Sequence, residues 1–440
     1  QLSDTTATEP MVVTPYADAD VAALTRAGLT QNTRTAYRLG DSVAAGILSH
    51  SVSASIAWPA GGTADAAVLT SLANDGGVST VVLNSGEMPS NDGQYDNALN
   101  ATTTGSGSTM GVLLADSEIT SVLSSASASS PASAQFGAEQ DFLAQTAMIL
   151  AEGPNLQRSV VIAPPRYWDP SASEAAALLS MTSSAPWLHK TDLSALAAAA
   201  ARLSTRTPAP ASTPAGPELS SDYTAQIAAV DQSAALYKDL LYQPGANVLN
   251  SVDAAVAVTT SAAWRDTGEA GGQLALNLVS DNLKSNEQKV HIIGIQGRKF
   301  LLGGTSGTTP VSVQNLLDVE VQVRVVATPS AGSQLSVGKF QDVILVPPGK
   351  TNTAHVPLSS NAITTTTMQL QLQTKDGSPL TWTSQSVSVQ VTRYGRALLV
   401  LIAAALGVLV LASVARWIRR RLNDGRTEDG RTEDRAGGTG

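Results

Sequence analysis

The residues best suited to chemistry in the N-terminal half are carboxylates that follow short apolar runs. Glu87 is the last residue of the segment Asn84-Ser-Gly-Glu87, and Asp116 is the first residue of the segment Asp116-Ser-Glu118. Asp169 comes directly after Tyr167 and Trp168. A glycosidase needs two such groups, one to protonate the leaving oxygen and one to act as nucleophile or base. The carboxylates Glu87, Asp116 and Asp169 are therefore the catalytic candidates if the protein is a carbohydrate-active enzyme.

Carboxylates at these positions also fit a structural role. Asp18, Asp65 and Glu118 each precede or open a helical pattern. There a carboxylate accepts hydrogen bonds from free backbone N–H groups and interacts favourably with the helix dipole. Capping is thus the alternative to catalysis for the whole set.

Metal and cofactor chemistry find little support. The chain has no cysteine, which excludes disulfides, thiolate zinc sites and a cysteine nucleophile. Its four histidines form no HxxxH pair, as a shared zinc site on a helix would require. No glycine-rich phosphate loop or nucleophile elbow is present. We therefore predict no metal and no cofactor.

Aromatic residues and one arginine lie in the loops that are predicted to follow the strands. Aromatic rings stack on sugars or anchor partner proteins, and an arginine can hold a phosphate or carboxylate. Packing at the top of the fold is the alternative role for these rings. The predicted rim of a ligand or partner groove consists of Tyr16, Trp58, Arg166, Trp168 and Asp169.

The elements that must position these residues alternate between short apolar strands and helices. This order is typical of a parallel sheet, whose strand-end loops carry the site. We predict an α/β domain over residues 1–204, built as a (β/α) barrel or partial barrel. The predicted strands lie at 11–16, 55–58, 77–83, 111–115 and 159–163, and the stretches 91–109 and 121–133 are predicted loops.

Three further segments follow before the C-terminus. Residues 205–217 contain four prolines and predict a stiff linker. Residues 218–286 have apolar positions at helical spacing and predict a small helical segment. Residues 287–393 alternate apolar and polar side chains, which predicts an immunoglobulin-like β-sandwich.

Residues 397–415 form an uninterrupted apolar run long enough to cross a membrane as a helix. Arginines are denser after the run than before it, so the positive-inside rule places the basic, disordered tail 416–440 in the cytoplasm and the preceding domains outside. The predicted localisation is the cell membrane, with a single pass. Anchor residues are Arg396, Leu398, Gly407, Arg416, Trp417 and Arg419.

Several motifs occur in order along the chain. They are Thr14-Pro-Tyr-Ala-Asp-Ala-Asp20, Ala57-Trp-Pro-Ala60, Val161-Ile-Ala-Pro-Pro-Arg166 with Trp168, Ala185-Pro-Trp-Leu188 and Gly307-Thr-Thr-Pro-Val-Ser-Val-Gln-Asn315. In this order they resemble the DUF6049 family of uncharacterised exported membrane proteins. The resemblance implies an actinobacterial protein with a signal peptide and further N-terminal sequence ahead of Gln1. It also implies genes near that of a lipid II flippase, and hence a role in envelope assembly, but supplies no catalytic residues.

These observations favour a membrane-anchored extracytoplasmic binding or scaffold protein of the bacterial cell envelope, rather than an enzyme. The expected partners are an integral membrane protein of cell-wall assembly, such as a lipid II flippase, and a glycan or lipid-linked peptidoglycan precursor. A formal charge of −9 makes nucleic acid an unsuitable partner. The alternative is a glycoside hydrolase or deacetylase-like barrel acting on a wall polymer.

Overall fold

The computed structural model describes residues 11–50, 52–89, 97–125, 132–164, 168, 170–208, 218–295, 297–362, 365–392 and 394–424. The chain divides into two compact units. The first unit comprises Gln1–Lys238 and Pro244–Ser285, and the second comprises Asp239–Gln243 and Asn286–Gly440. The helices predicted as a separate segment over 218–286 therefore lie almost entirely in the first unit.

A mixed sheet forms the centre of the first unit. Its strands are β1 Ile56–Ala57, β2 Thr80–Asn84, β3 Leu99–Thr103 and β4 Thr109–Ala115. In the described residues their order is β1-β2-β4-β3, with β1, β2 and β4 parallel and β3 antiparallel to β4. Parallel bridges join Val12 to Ser53 and Ala115 to Val161. The sheet and these bridges form a half-barrel wall.

Helices cover the half-barrel and complete the first unit. They are α1 Val21–Arg26, α2 Thr30–Leu48, α3 Ala66–Gly76, α4 Ser117–Ser125, α5 Ala132–Glu152, α6 Ala172–Ser184, α7 Leu193–Ala200, α8 Ser221–Leu240, α9 Ala246–Thr259 and α10 Glu269–Gln288. Capping follows the sequence closely, because Asp20 accepts from Ala23 N at 3.2 Å and Asp65 accepts from Val68 N at 2.9 Å. Asp65 thus begins a helix, as predicted, whereas Asp20 rather than Asp18 caps α1.

The core explains why the central strands are apolar along their whole length. Val81 and Val112 face a cluster that includes Leu69 of α3. Val82 and Leu113 belong to a second cluster that includes Ala200 of α7. Strands covered on both faces read as continuous apolar runs rather than as alternating ones. This accounts for the successful prediction of β2 and β4.

Several elements differ from the sequence-based prediction, among them the predicted strand at 11–16, which forms a bridge at Val12 and then turns at Tyr16. Strand β3 lies in a stretch predicted as a loop, because its residues are asparagine, alanine and threonine rather than branched apolar ones. The predicted strand at 159–163 reaches the sheet through a single bridge at Val161. Thr205, predicted as linker, forms a parallel bridge to Ala101, and Arg206 N donates to Ala101 O at 2.7 Å.

The second unit contains two further sheets. Their strands are β5 Val290–Ile293, β6 Lys299–Gly303, β7 Ser306–Asn315, β8 Val321–Pro329, β9 Leu335–Val337, β10 Val343–Val346, β11 Thr351–Ser360, β12 Thr365–Gln373 and β13 Pro379–Thr392. In the described residues one sheet has the order β10-β8-β12-β13-β6 and the other β5-β7-β11-β9. All pairings are antiparallel except that of β13 with β6.

Alternating burial marks both sheets of the second unit. Along β8, Val321, Val323 and Val325 are buried while the residues between them are partly exposed. Side chains also bond between the sheets, since Trp382 Nε1 donates to Val290 O at 3.2 Å and Gln385 Nε2 donates to Ile292 O at 3.2 Å. The period of two in the sequence therefore corresponds to strands with one buried face.

The chain continues from β13 into a long apolar helix, α11 Tyr394–Asp424. Within the described residues, Val400–Arg419 is the one stretch long and apolar enough to cross a membrane. Gly407, Arg416, Trp417 and Arg419 lie in this stretch, and Arg396 and Leu398 lie earlier in the same helix. A single apolar helix at this end fits a single-pass membrane anchor.

Candidate functional site

The loops at the carboxyl ends of the parallel strands bring four of the predicted residues to one edge of the half-barrel. Tyr16 follows the Val12 bridge, Trp58 follows β1, Glu87 follows β2 and Asp116 follows β4. In parallel α/β folds this edge is where ligands bind, because the loops there are free to vary. We call this group of loops the strand-end edge.

Short polar contacts hold neighbouring loops of the strand-end edge together. Asn84 Nδ2 donates to Gly61 O at 2.7 Å, which links the loops after β1 and β2. Gly62 has a φ of +65°, and a Cβ there would lie 2.5 Å from Asn84 Oδ1. Ser85 Oγ and Ser117 Oγ lie 3.0 Å apart and link the loops after β2 and β4. The edge is therefore a connected surface.

Glu87 is buried beneath this surface. Burial raises the pKa of its carboxyl above the usual value of 4.5, although a hydrogen bond from the Ala64 backbone partly opposes the shift. A carboxyl with a raised pKa at a strand-end edge has the electrostatics of a general acid. The Ala64 contact also shows that the side chain ties the loop after β2 to the segment that precedes α3.

Asp116 is engaged in a helix cap. Its Oδ1 accepts a hydrogen bond from Ile119 N at 2.9 Å, which satisfies a free donor at the start of α4. Thr120 N donates to the Asp116 carbonyl oxygen at 3.0 Å and continues the first turn. The carboxylate proposed as a partner for Glu87 thus has a defined structural role.

The loop after the Val12 bridge adopts an unusual backbone conformation. Ala17 and Asp18 have φ angles of 56° and 54°, in the left-handed region that residues other than glycine seldom occupy. Tyr16 begins this 3-10 turn and is partly exposed. Backbone conformations of this kind are common at binding and catalytic sites, so the turn next to Tyr16 is a candidate part of the site.

The predicted aromatic rim is only partly assembled at this edge. Trp58 is partly exposed and packs on the apolar cluster around Val82 and Leu113. Trp168 instead lines a small cleft of about 40 Å³ between α4, α5 and α6, together with Glu139 and Glu174. Ligand pockets are usually several hundred cubic ångströms in volume, so this cleft is too small for a sugar ring. Arg166 and Asp169 lie outside the described residues.

Residues that could bind a metal are not brought together in the parts of the chain that the structure describes. No group of three or more histidine, aspartate or glutamate side chains there has the spacing to hold a metal ion. The strand-end edge therefore offers aromatic, hydroxyl and amide groups, with Glu87 beneath them. Such a surface can hydrogen-bond and stack against a polar ligand.

Two polar clusters of the first unit have no counterpart in the sequence analysis. Asp20 pairs with Arg265, and Asp253 accepts from both Arg38 and Lys238. The partners of Asp20 and Arg38 lie more than 200 residues away along the chain, so no local spacing could reveal them. Both clusters connect the N-terminal half to α8, α9 and the segment that follows α9.

Comparisons with solved structures yield only partial likenesses. WR4, a C. elegans member of the MSP family, is 10% identical and matches 23% of this chain and 99% of its own, with a TM-score of 0.18. Native E. coli alpha-2-macroglobulin is 14% identical over 24% of this chain and 7% of its own, with a TM-score of 0.19. At such scores the likenesses support no inference about function.

A third solved structure, domains 4 and 5 of the S-layer protein SbsC, is 17% identical over 23% of this chain and 50% of its own, with a TM-score of 0.16. No curated protein matches the chain. A family match is much more extensive, since it runs from residue 2 to residue 423 and includes both units and most of α11. The chain therefore belongs to DUF6049, a family of unknown function.

Proposed function

We propose that this protein is a single-pass membrane protein whose two folded units act outside the cytoplasm as a binding or scaffold module of the cell envelope. The observation that carries the proposal is α11, which begins two residues after the end of the last strand of the second unit and contains the apolar stretch Val400–Arg419. A helix of this length matches the hydrocarbon thickness of a bilayer.

The orientation follows from the flanking charges. Arg416 and Arg419 lie at the C-terminal end of the apolar stretch, and Arg420 and Arg421 follow. Cytoplasmic flanks are enriched in arginine and lysine, so the tail is proposed to lie inside and both units outside. Trp417, which is exposed, lies at a depth suited to an interfacial aromatic residue.

The strand-end edge is the proposed binding surface. Asp116 caps α4, which leaves the edge with exposed or partly exposed Tyr16, Trp58 and Ser117. These side chains are better suited to recognising a glycan or lipid-linked precursor than to hydrolysis, which needs two free carboxylates. The proposed partner is an integral membrane protein of wall assembly, such as a lipid II flippase, which would lie in the same bilayer as α11.

The proposal also includes the fold type of each unit. The half-barrel is proposed to be part of a (β/α) barrel, because its parallel strands alternate with covering helices. The two sheets of the second unit are proposed to pack as an immunoglobulin-like sandwich. Hydrogen bonds from Trp382 and Gln385 to the backbone of β5 support that packing.

A second candidate function rests on Glu87. Its raised pKa at the strand-end edge is what a general acid of a carbohydrate-active enzyme requires. Glu87→Gln distinguishes the two proposals. Under the enzyme hypothesis the variant loses hydrolysis of wall polymers while still binding them, whereas a binding protein shows no hydrolysis in either form.

Topology and binding can be tested in the same cells. Protease added to intact cells, after removal of the wall, should digest both units and spare an epitope fused after Gly440. A photo-crosslinking residue at Trp58 should capture a glycan precursor or an envelope membrane protein, and one at exposed Leu179 should not. Protection of both units until lysis would refute the orientation, and equal capture at the two positions would refute the binding surface.

A further inference from the structure

The edge strand of the five-stranded sheet ends beside the start of α11. Strand β6 runs parallel to β13, with Leu301 opposite Gln390 and Gly303 opposite Thr392. Since α11 begins at Tyr394, the end of β6 lies level with the last residues before the helix. The register therefore fixes which end of the sheet is nearest the membrane anchor.

The outward face of β6 combines an exposed leucine with an exposed lysine. Leu301 is 69% exposed, whereas Leu302, its neighbour on the inward face, is 3% exposed. Lys299 is also exposed and shares the outward face with Leu301, because alternate residues of a strand point the same way. Leu301 thus places a large, exposed apolar side chain next to a cation on an edge strand.

The acidic residues among the strands of the second unit lie far from α11, together with the basic residues Arg324, Lys350 and Lys375. The acidic residues between 290 and 392 are Asp318, Glu320, Asp342 and Asp376. Two of them precede β8 and one precedes β13, and both strands begin at the end far from α11. Asp342 precedes β10 at the level of Val325, which is also near that far end.

The end near α11 carries two cations, and the four acidic residues all lie elsewhere. Arg298 and Lys299 are exposed, and neither forms an ion pair with any residue that the structure describes. Lys299 is opposite Ser388, four residues before the end of β13. Two cations beside the anchor, without an ion pair in the described part of the chain, suit a negatively charged surface next to α11.

We propose that this end of the second unit rests on the lipid bilayer, with Leu301 inserted at the interface and Arg298 and Lys299 against anionic headgroups. Leu301 is two residues, or roughly 7 Å along the strand, closer to the α11 end than Lys299 is. This order matches the depth of apolar and cationic groups in interfacial segments. The inference rests on the proposed membrane anchoring and adds a second lipid contact.

A unique labelling site makes the proposal directly testable, because the chain has no cysteine. Leu301→Cys in the full chain is labelled with an environment-sensitive dye and reconstituted in vesicles of phosphatidylcholine mixed with phosphatidylglycerol. Quenching by lipids that carry a nitroxide near the headgroup measures its depth. We expect strong quenching and a blue-shifted emission.

Two control positions separate the possible outcomes. Leu316→Cys replaces another exposed leucine, 50% exposed, at the end far from α11, and should be quenched several-fold less. Val408→Cys, in the middle of α11, should be quenched only by nitroxides placed deep in the acyl chains. Failure at Val408 would refute the anchor itself. Quenching at Val408 with equal, weak quenching at Leu301 and Leu316 would refute only the surface contact.

The contact of the basic residues with anionic headgroups is tested separately. Removing one cation by Lys299→Gln should lower the ratio of surface-bound to unbound forms in the phosphatidylglycerol mixture by about five-fold, the factor that ~1 kcal/mol per basic residue represents. The loss should disappear in pure phosphatidylcholine and at high salt, because salt screens exposed charges. Crosslinking of two copies through the Leu301→Cys position, in place of lipid quenching, would instead show that the edge pairs with a second chain and would overturn the proposal.

Discussion

The Asp20 carboxylate accepts two hydrogen bonds from the Arg265 guanidinium, 245 positions later in the chain. The Arg265 Nε to Asp20 Oδ2 distance is 2.7 Å, and both side chains are largely buried. The same carboxylate caps α1 by accepting from Ala23 N. One side chain thus fixes the start of α1 to the segment that follows α9, and the first unit depends on it.

Breaking this pair should destabilise the first unit strongly. Arg265→Met leaves Asp20 buried without its countercharge, so the free energy of unfolding should fall by about 3–5 kcal/mol. Chemical denaturation of the full chain in detergent, followed by tryptophan fluorescence, measures the change. Arg26→Met, which breaks the largely exposed pairs of Arg26 with Asp65 and Glu218, should cost about 1 kcal/mol or less. Equal losses in the two variants would contradict the assigned role of Asp20.

Tight packing around Tyr223 gives a second prediction. Its hydroxyl donates to Thr259 O at 2.9 Å, and burial raises its pKa to about 12. A Cβ at Gly272 would lie 2.6 Å from this hydroxyl and 2.9 Å from Trp264. Gly272→Ala should therefore lower the melting temperature, with a cost of about 1–3 kcal/mol for an overpacked core.

A double-mutant cycle tests whether the tyrosine hydroxyl is responsible. Gly272→Ala should cost less in a Tyr223→Phe background than in the native chain, because the phenylalanine lacks the clashing oxygen. Gly46→Ala is the matched control, since nothing lies within 4 Å of its Cβ position in α2. That control should be neutral or stabilise by up to about 1 kcal/mol. Strict additivity of the two changes would count against the proposed contact.

Glu87 should make stability depend on pH. Because burial raises its pKa above 4.5 in the folded state, the folded protein holds this proton more tightly than the unfolded chain does. The resulting stabilisation is complete below pH 4.5 and is lost as the pH rises through the higher folded-state pKa. Glu87→Gln carries no titrating group and should lack this loss. Urea unfolding of both proteins at a series of pH values measures the free energy of unfolding. The same dependence of that free energy on pH in the two proteins would contradict the prediction.

A charge in the middle of α11 should abolish membrane retention. Leu409→Asp places a carboxylate near the centre of the apolar stretch, at a cost of about 2.5–3.5 kcal/mol for insertion. Alkaline extraction of membranes should then release the variant, while Leu409→Phe remains in the pellet. Retention of both variants would show that another part of the protein holds it to the membrane.

The sequence predicted elements whose signals are local. Asp65 begins a helix as expected, and β2 and β4 are the continuous apolar runs that predicted them. Helix α2 was not predicted, because its buried face includes Asn32, Thr33 and Gly40 rather than a regular apolar stripe. Its stability comes from packing that the local pattern does not encode.

The sequence predicts which residues lie at the strand-end edge. The position of Glu87, Asp116, Trp58 and Tyr16 after successive strands follows from the topology of parallel sheets. The role of each side chain does not follow, because capping by Asp116 and burial of Glu87 depend on the exact course of the loops. Likewise, the sequence could not show that Thr205 and Arg206 join the sheet, since their partners lie about 100 residues earlier.

The short segment Asp239–Gln243 belongs to the second unit although the residues on both sides of it belong to the first. Its Leu241 forms an antiparallel bridge to Val321, and Tyr242 N donates to Glu320 O at 2.8 Å. No single scission of the polypeptide can therefore liberate either unit whole. In a fragment of residues 286–392, which omits α11, the beginning of β8 would lack this backbone partner and be prone to aggregate.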